Sequence, residues 1–369
     1  MPEEKYILKD VLFNKQTVSV LVNALANVYP TLEPNDFLTD ALKAFPDLEL
    51  KERMSYLRVL IEKYISEDYI NTLQILLRSL NYVEDSHESF VFGAYQDYIM
   101  INGCTEEYLN ISLDYMGKFT QYFSAEFAIR PFITHYPEAT YQALEVWAKS
   151  DNVHKRRLVS EGIRPKLPWG KSIDFDYKKA SELLEYLYHD SERYVTRSVA
   201  NHLNDISKID PDFVLEILKR WASTNKQNES EMQYIINHSL RTSIKKSHRG
   251  TLEFLGYPTN PNISIETFSI QETNLKLGDS LIFSFEIIAH EKVSLMIDYN
   301  INYPMAREKR SDKVFKIKKI SLDQGESLTI EKKHLFKSMT TKKLYSGEYT
   351  LNLQINGHSY EKLVFNLTV

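Results

Sequence analysis

Residues 251–289 read TLEFLGYPTNPNISIETFSIQETNLKLGDSLIFSFEIIA, and the spacing of apolar residues changes character within them. Beyond Thr259-Asn260-Pro261-Asn262, the residues Phe283, Phe285 and Ile287 alternate with polar neighbours. A period of two marks a strand with one buried face. The alternation returns at Tyr349, Leu351, Leu353 and Ile355, and again at Leu363, Phe365, Leu367 and Val369. Asn356-Gly357 stands between those two runs, a pair suited to a hairpin turn in which both positions need positive φ. Strand-like runs near 263–271, 280–289, 293–302, 313–321, 327–333, 348–355 and 360–369 predict about seven strands, the pattern of an immunoglobulin-like sandwich. The boundary predicts one domain over 1–259 and a second over 260–369.

Upstream of the boundary the period is 3.6. Leu57, Leu60, Ile61, Tyr64 and Ile65 form one apolar helix face, as do Ala180, Leu183, Leu184, Leu187 and Tyr188. Phe213, Val214, Ile217, Leu218 and Trp221 form another, opened by Asp210 as N-cap and Pro211 at the first helical position. Further helices are predicted near 15–28, 34–45, 68–82, 94–102, 106–119, 123–134, 138–149, 191–206 and 228–243. Short connections between helices point to stacked pairs, each needing neighbours to cover its second face. The fold class is therefore mainly α, a degenerate HEAT-like helical-repeat solenoid, followed by a small all-β immunoglobulin-like sandwich. An irregular helical bundle is the alternative for the first part.

Composition narrows the function classes. With 43% hydrophobic and 26% charged residues the chain reads as globular, and no run approaches the ~20 apolar residues of a membrane span. The opening MPEEKYILKD resembles neither a secretory signal nor a transit peptide, so a cytoplasmic location is expected. The single cysteine, Cys104, can form no internal disulfide. No phosphate-binding glycine loop and no Cys/His cluster with ligand spacing occurs, so neither a metal nor a cofactor is expected. Net charge is −5, but its distribution is uneven. Residues 1–100 hold 9 Lys and Arg against 16 Asp and Glu, whereas between 154 and 171 Glu161 is the one acid among many cations.

Four segments carry candidate chemistry. Phe123-Ser124-Ala125-Glu126-Phe127-Ala128-Ile129-Arg130-Pro131-Phe132 places one acid in a mainly apolar helix disturbed by proline, where Glu126 could pair with Arg130 four residues on. The second, Arg156 to Pro165, sets Glu161 between Arg157 and Arg164; a salt bridge and phosphate contacts both fit. Third, Trp169 follows on a loop, able to stack on a base or sugar or to anchor the loop. In the fourth, Arg193 to Asp205, the residues Arg197, Asn201 and Asp205 share a face. Asp205 stands near the helix C-terminus, where the macrodipole disfavours an anion.

In this order and on a helical array, SAEFAIRPF, KRRLVSEGIRPKLPW and RSVANHLNDISK resemble the bacterial AlkC-type DNA alkylation-repair glycosylases of the AlkC/AlkD HEAT-like-repeat superfamily. The resemblance runs from LKDVLF to about residue 255, and the sandwich looks like the Ig-like extension of one AlkC subgroup. It implies hydrolysis of the N-glycosidic bond of cationic alkylated bases in double-stranded DNA, 3-methylcytosine and 3-methyladenine among them, exposed by bending rather than by flipping into a pocket. It also implies a monofunctional, metal-free enzyme. Carried over segment by segment, Glu126, Glu161 and Asp205 are the acids, with Asp205 and Glu161 nearest the deoxyribose and Trp169 near the lesion or its sugar. Arg156, Arg157, Arg164, Lys166 and Arg197 become phosphate contacts. Lys245, Lys246 and Arg249, with His248, form a second basic patch assigned to the DNA backbone. Lys313, Lys316, Lys318 and Lys319 suit either a DNA clamp or protection of a strand edge. A monomer at the nucleoid is expected, and a non-catalytic helical scaffold binding DNA or protein is the competing reading.

Overall fold

A computed structural model describes residues 7–83, 90–168, 170, 172–174, 176–337 and 343–369. Up to residue 206 the described elements are α1 (Leu8–Leu12), α2 (Lys15–Ala26), α3 (Pro34–Ala44), α4 (Leu50–Tyr64), α5 (Tyr69–Ser79) and α6 (Gly93–Asn102). They continue with α7 (Leu109–Phe119), α8 (Ile129–His135), α9 (Pro137–Ala148), α10 (Val153–Gly162), α11 (Tyr177–Leu184) and α12 (Arg193–Ile206). Then come α13 (Pro211–Thr224), α14 (Glu229–Ser239), α15 (Arg241–Lys245) and α16 (Arg249–Phe254). Among the described residues no helix is long and apolar enough to cross a membrane.

The chain folds into two compact units, one of Met1–Ile206 with Trp221–His238, the other of Ser207–Arg220 with Ser239–Val369. Helices give way to strands at Ile263, yet the last helical residues pack with the sandwich. In the first unit α2 packs on α3, α4 on α6, α9 on α10 and α10 on α12, the HEAT-like pairing of helices. The apolar faces named from periodicity are the ones buried: Leu57, Leu60 and Ile61 in α4, and Ala180, Leu183 and Leu184 in α11. Trp221 stacks on Tyr188 with ring centroids 4.4 Å apart. Asp210 caps α13, its carboxylate accepting from Phe213 N at 3.0 Å.

One helix differs from expectation. The helix predicted over 123–134 begins only at Ile129; Phe123–Ala125 are irregular and Glu126–Ala128 form a turn. Pro131 therefore lies in the first turn, where the backbone N–H groups have no intrahelical acceptors and a missing one costs little. Glu126 stands on the turn before α8 and not inside a helix.

The second unit holds β1 (Ile263–Ile270), β2 (Asn274–Lys276), β3 (Ser280–Ala289), β4 (Val293–Pro304), β5 (Arg310–Leu322), β6 (Ser327–Leu335), β7 (Gly347–Ile355) and β8 (His358–Thr368). They form a three-stranded sheet, β1-β3-β6, and a five-stranded sheet, β2-β8-β7-β4-β5. β2, three residues long and parallel to β8, is absent from the sequence reading because so short a run shows no alternation. Along β3 the residues Leu281, Phe283, Phe285, Ile287 and Ala289 point inward, and along β7 Tyr349, Leu351, Leu353 and Ile355 do so. Asn356 and Gly357 close the β7–β8 hairpin with φ of 48° and 78°. A Cβ on Gly357 would approach Ser247 Cβ to 2.7 Å and Leu252 Cδ1 to 2.8 Å, so the turn also needs glycine for close packing. β5 is an edge strand, and its exposed Lys313, Lys316, Lys318 and Lys319 charge that edge against further pairing.

Candidate active site

Two helices of the first unit meet at the segments singled out by their charged residues. Asn152 caps α10, accepting from His154 N at 3.0 Å and Lys155 N at 3.2 Å. The helix ends at Gly162, with Pro165 soon after, so Glu161 and Arg164 stand at its C-terminal end. Val195, Val199, Leu203 and Ile206 give α12 a fully buried apolar stripe. Beside that stripe, Ser198, His202 and Asp205 are also buried, at i, i+4 and i+7.

The three acids and two of the arginines form one chain of alternating charge. Arg157 Nη1 donates to Glu126 Oε2 at 2.7 Å, and Arg157 Nη2 lies 3.6 Å from Glu161 Oε2. Arg164 Nη1 donates to Glu161 Oε1 at 2.6 Å. On the other side its Nε and Nη2 both reach Asp205 Oδ2 at 2.8 Å. Ser198 Oγ donates to Glu161 Oε2 at 2.6 Å, and Ser124 Oγ to Glu126 Oε2 at 3.2 Å. Arg157 also lies 5.2 Å from the Tyr194 ring centroid. The side chains of Glu161 and Asp205 are 7% and 6% exposed, against 18% for Glu126.

Burial alone would raise the Glu161 carboxyl, but Arg157, Arg164 and the Ser198 hydroxyl hold it below its ordinary value. Burial likewise opposes the charge on Arg157 and Arg164, and the facing carboxylates raise both. Arg164 also offsets the unfavourable position of Asp205 at the end of α12. Beneath the network, burial pushes His202 down to about 4, and its Nδ1 lies 3.0 Å from Ser160 O.

These shifts set an acid sensitivity. Glu161, lowered on folding, contributes stability present above its unfolded value of 4.5 and lost as pH falls through the folded value. His202 stays neutral in the folded chain down to about 4, whereas the unfolded chain takes up that proton near 6.5. Stability therefore falls as pH drops from 6.5 towards 4, with His202 alone costing about 3 kcal/mol at the lower limit. Calorimetric unfolding across that range checks this; a midpoint flat from pH 6.5 to 4 contradicts it.

Glu126, Glu161 and Asp205 thus come together from three places in the chain, joined by Arg157 and Arg164. The anticipated i,i+4 pair of Glu126 with Arg130 is replaced by Glu126 with Arg157, because Glu126 precedes the helix. Arg130 instead donates to the backbone oxygens of Gly162 at 3.1 Å and Arg164 at 3.0 Å. Arg156 grips Asp190 through Nε at 2.6 Å and Nη2 at 3.1 Å. Lys166 and Arg197 are exposed in the same unit. In the second unit Lys245 and Lys246 are exposed, and Arg249 pairs with Glu253 at 2.8 Å. Trp169 lies outside the described residues. The sequence reading did not single out Ser198 or His202. Their signal is the i, i+4, i+7 spacing of polar residues ending at Asp205, which lies beside the Arg197–Asn201–Asp205 spacing on the same helix.

Residues 120–247 match the family described as "DNA alkylation repair enzyme", and residues 264–369 match the "Uncharacterised protein YhaZ, C-terminal Ig-like domain". The chain is 34% identical over 365 residues to YhaZ of Bacillus subtilis (strain 168), covering 98% of this chain and 99% of that protein. It is similar in structure to the Pseudomonas fluorescens alkylpurine DNA glycosylase AlkC, solved bound to DNA containing an abasic site analog. That likeness has a TM-score of 0.88 and 30% identity, and covers 99% of this chain and 100% of AlkC.

Proposed function

Because the chain belongs to the AlkC-type DNA alkylation repair enzymes, with a YhaZ-type Ig-like domain after its helices, we propose that it is a monofunctional DNA glycosylase. It hydrolyses the N-glycosidic bond of cationic N-alkylated bases, 3-methylcytosine and 3-methyladenine, in duplex DNA. The observation that carries this reading is the network that brings Glu126, Glu161 and Asp205 together from three places in the chain, joined by Arg157 and Arg164.

The chemistry follows from charge. A cationic base takes the bonding electrons and leaves neutral, so no strong general acid is needed. Positive charge then develops on the deoxyribose, as in the oxocarbenium-like transition state of glycoside hydrolysis. Preplaced carboxylates in a largely water-free setting stabilise that charge. Water attacks C1′, and a carboxylate oxygen orients it and accepts its proton. In this scheme Asp205 and Glu161 stand nearest the deoxyribose, with Glu126 next. Arg157 and Arg164 hold the carboxylates in place, and the exposed Lys166, Arg197, Lys245 and Lys246 are the phosphate contacts. The enzyme works as a monomer in the bacterial cytoplasm, at the nucleoid.

Base release from duplex oligonucleotides carrying one 3-methylcytosine or 3-methyladenine, in EDTA, tests the reading. Release is expected. No release from either lesion with DNA binding intact would leave a non-catalytic DNA-binding scaffold. Binding should also show where the backbone is held. Lys166→Ala and Arg197→Ala are each expected to weaken affinity for any duplex and to reduce the salt slope by about 1. An unchanged slope in both, by fluorescence anisotropy against salt, removes these two contacts.

A further inference from the structure

The end of α10 carries Glu161 and Arg164, and it is not secured by its own helix. A helix leaves its last carbonyls without intrahelical donors. Here Arg164 N turns to Glu161 O at 3.4 Å, so Ser160 O loses the donor four residues ahead. Ser160 O lies 3.0 Å from His202 Nδ1 on α12. A carbonyl can only accept, so Nδ1 carries the proton and donates, and His202 is the neutral Nδ1–H tautomer. The next stretch is held from the other side. Arg130, in the first turn of α8, donates to Gly162 O, Arg164 O and Pro165 O.

His202 is fully buried, and its Nε2 has no hydrogen-bond partner among the described residues. An orphaned buried acceptor is destabilising, a penalty that a leucine at this position would avoid. Ser198, His202 and Asp205, on one face of α12, engage the Glu161 carboxylate, the Ser160 carbonyl and the Arg164 guanidinium in turn. The middle contact fixes the rise and rotation of the α10 end, and so the separation of the two carboxylates that Arg164 bridges.

We propose that His202 is a positioning residue for the glycosylase reaction, donating Nδ1–H to the Ser160 carbonyl so that Glu161 and Asp205 are held at their working separation, with Arg130 buttressing the same helix end. This rests on the glycosylase reading above. His202→Leu keeps an apolar filling but removes the donor, whereas His202→Asn places an amide N–H close to where Nδ1–H stands. His202→Leu is expected to slow single-turnover base release about 10–100-fold. Affinity for duplex carrying an abasic-site analogue should change less than about twofold, and His202→Asn should recover most of the rate. A purely structural role would lower melting temperature and affinity together and would not produce that split. His202→Leu releasing base at the wild-type rate overturns the proposal, as does His202→Asn remaining as slow as His202→Leu. Should His202→Leu not fold, imidazole nitrogen NMR of the wild-type chain decides: the neutral Nδ1–H tautomer at pH 6 supports the proposal, and Nε2–H or a protonated ring overturns it. Wild-type protein that releases no base fails the glycosylase reading itself, and the positioning role with it.

Discussion

Asp205→Asn is expected to lower the single-turnover rate of base release about 10²–10³-fold, with affinity for abasic-site DNA nearly unchanged. The substitution is close to isosteric and removes one of the three carboxylate charges gathered at the site. A carboxylate about 4 Å from a developing cation, at an effective dielectric near 20, interacts by about 4 kcal/mol. At about 1.4 kcal/mol per decade that corresponds to roughly three decades of rate. Ground-state DNA carries no positive charge on the deoxyribose, so binding does not share the loss. Glu126→Gln should cost less, since Glu126 is the most exposed of the three acids and water screens it. Rapid-quench measurement of base release for Asp205→Asn checks this, and a rate within threefold of wild type would remove Asp205 from the chemistry.

Arg164→Met is expected to destabilise the chain by about 3–5 kcal/mol, the typical cost of stranding buried charge. Arg164 is itself buried and touches both Glu161 and Asp205. Its loss leaves two carboxylates, each less than a tenth exposed, without that counter-charge. Glu161, now depressed, would move upward as one of its two arginines goes, while Arg157 and the Ser198 hydroxyl still lower it against burial. The stability that its depressed value contributes above 4.5 therefore shrinks. Urea unfolding at pH 7 checks the loss. A midpoint matching wild type at pH 7 would show that the network does not depend on Arg164.

The apolar pattern carried most of the fold. The stripes of α4, α11 and α13, the alternation in β3 and β7, and the Asn356-Gly357 turn all follow from local side-chain periodicity and φ preference, which a single segment contains within itself. The start of α8 did not follow. Proline within SAEFAIRPF reads equally as an interruption or as part of a first turn, and tertiary contacts of the preceding residues decide between them. The grouping of Ser207–Arg220 and Ser239–Phe254 with the sandwich was likewise illegible, because periodicity says which face is buried but not against what.

For the site, the resemblance carried by the three segments implied Glu126, Glu161 and Asp205 as the acids, and Arg157 and Arg164 as phosphate contacts. The partners of those charges were decided in three dimensions. Arg157 reaches back 31 residues to Glu126, and Arg164 forward 41 residues to Asp205. His202 and Ser198 meet α10 from 42 and 37 residues away. Residue type, periodicity and turn chemistry are local properties, so the chain's sequence by itself determined the elements, the change from helices to sandwich and the acids worth naming. Which cation neutralises which carboxylate, and whether an arginine meets a phosphate or an acid, depends on distance and burial between segments far apart in the chain, and only the tertiary structure sets those.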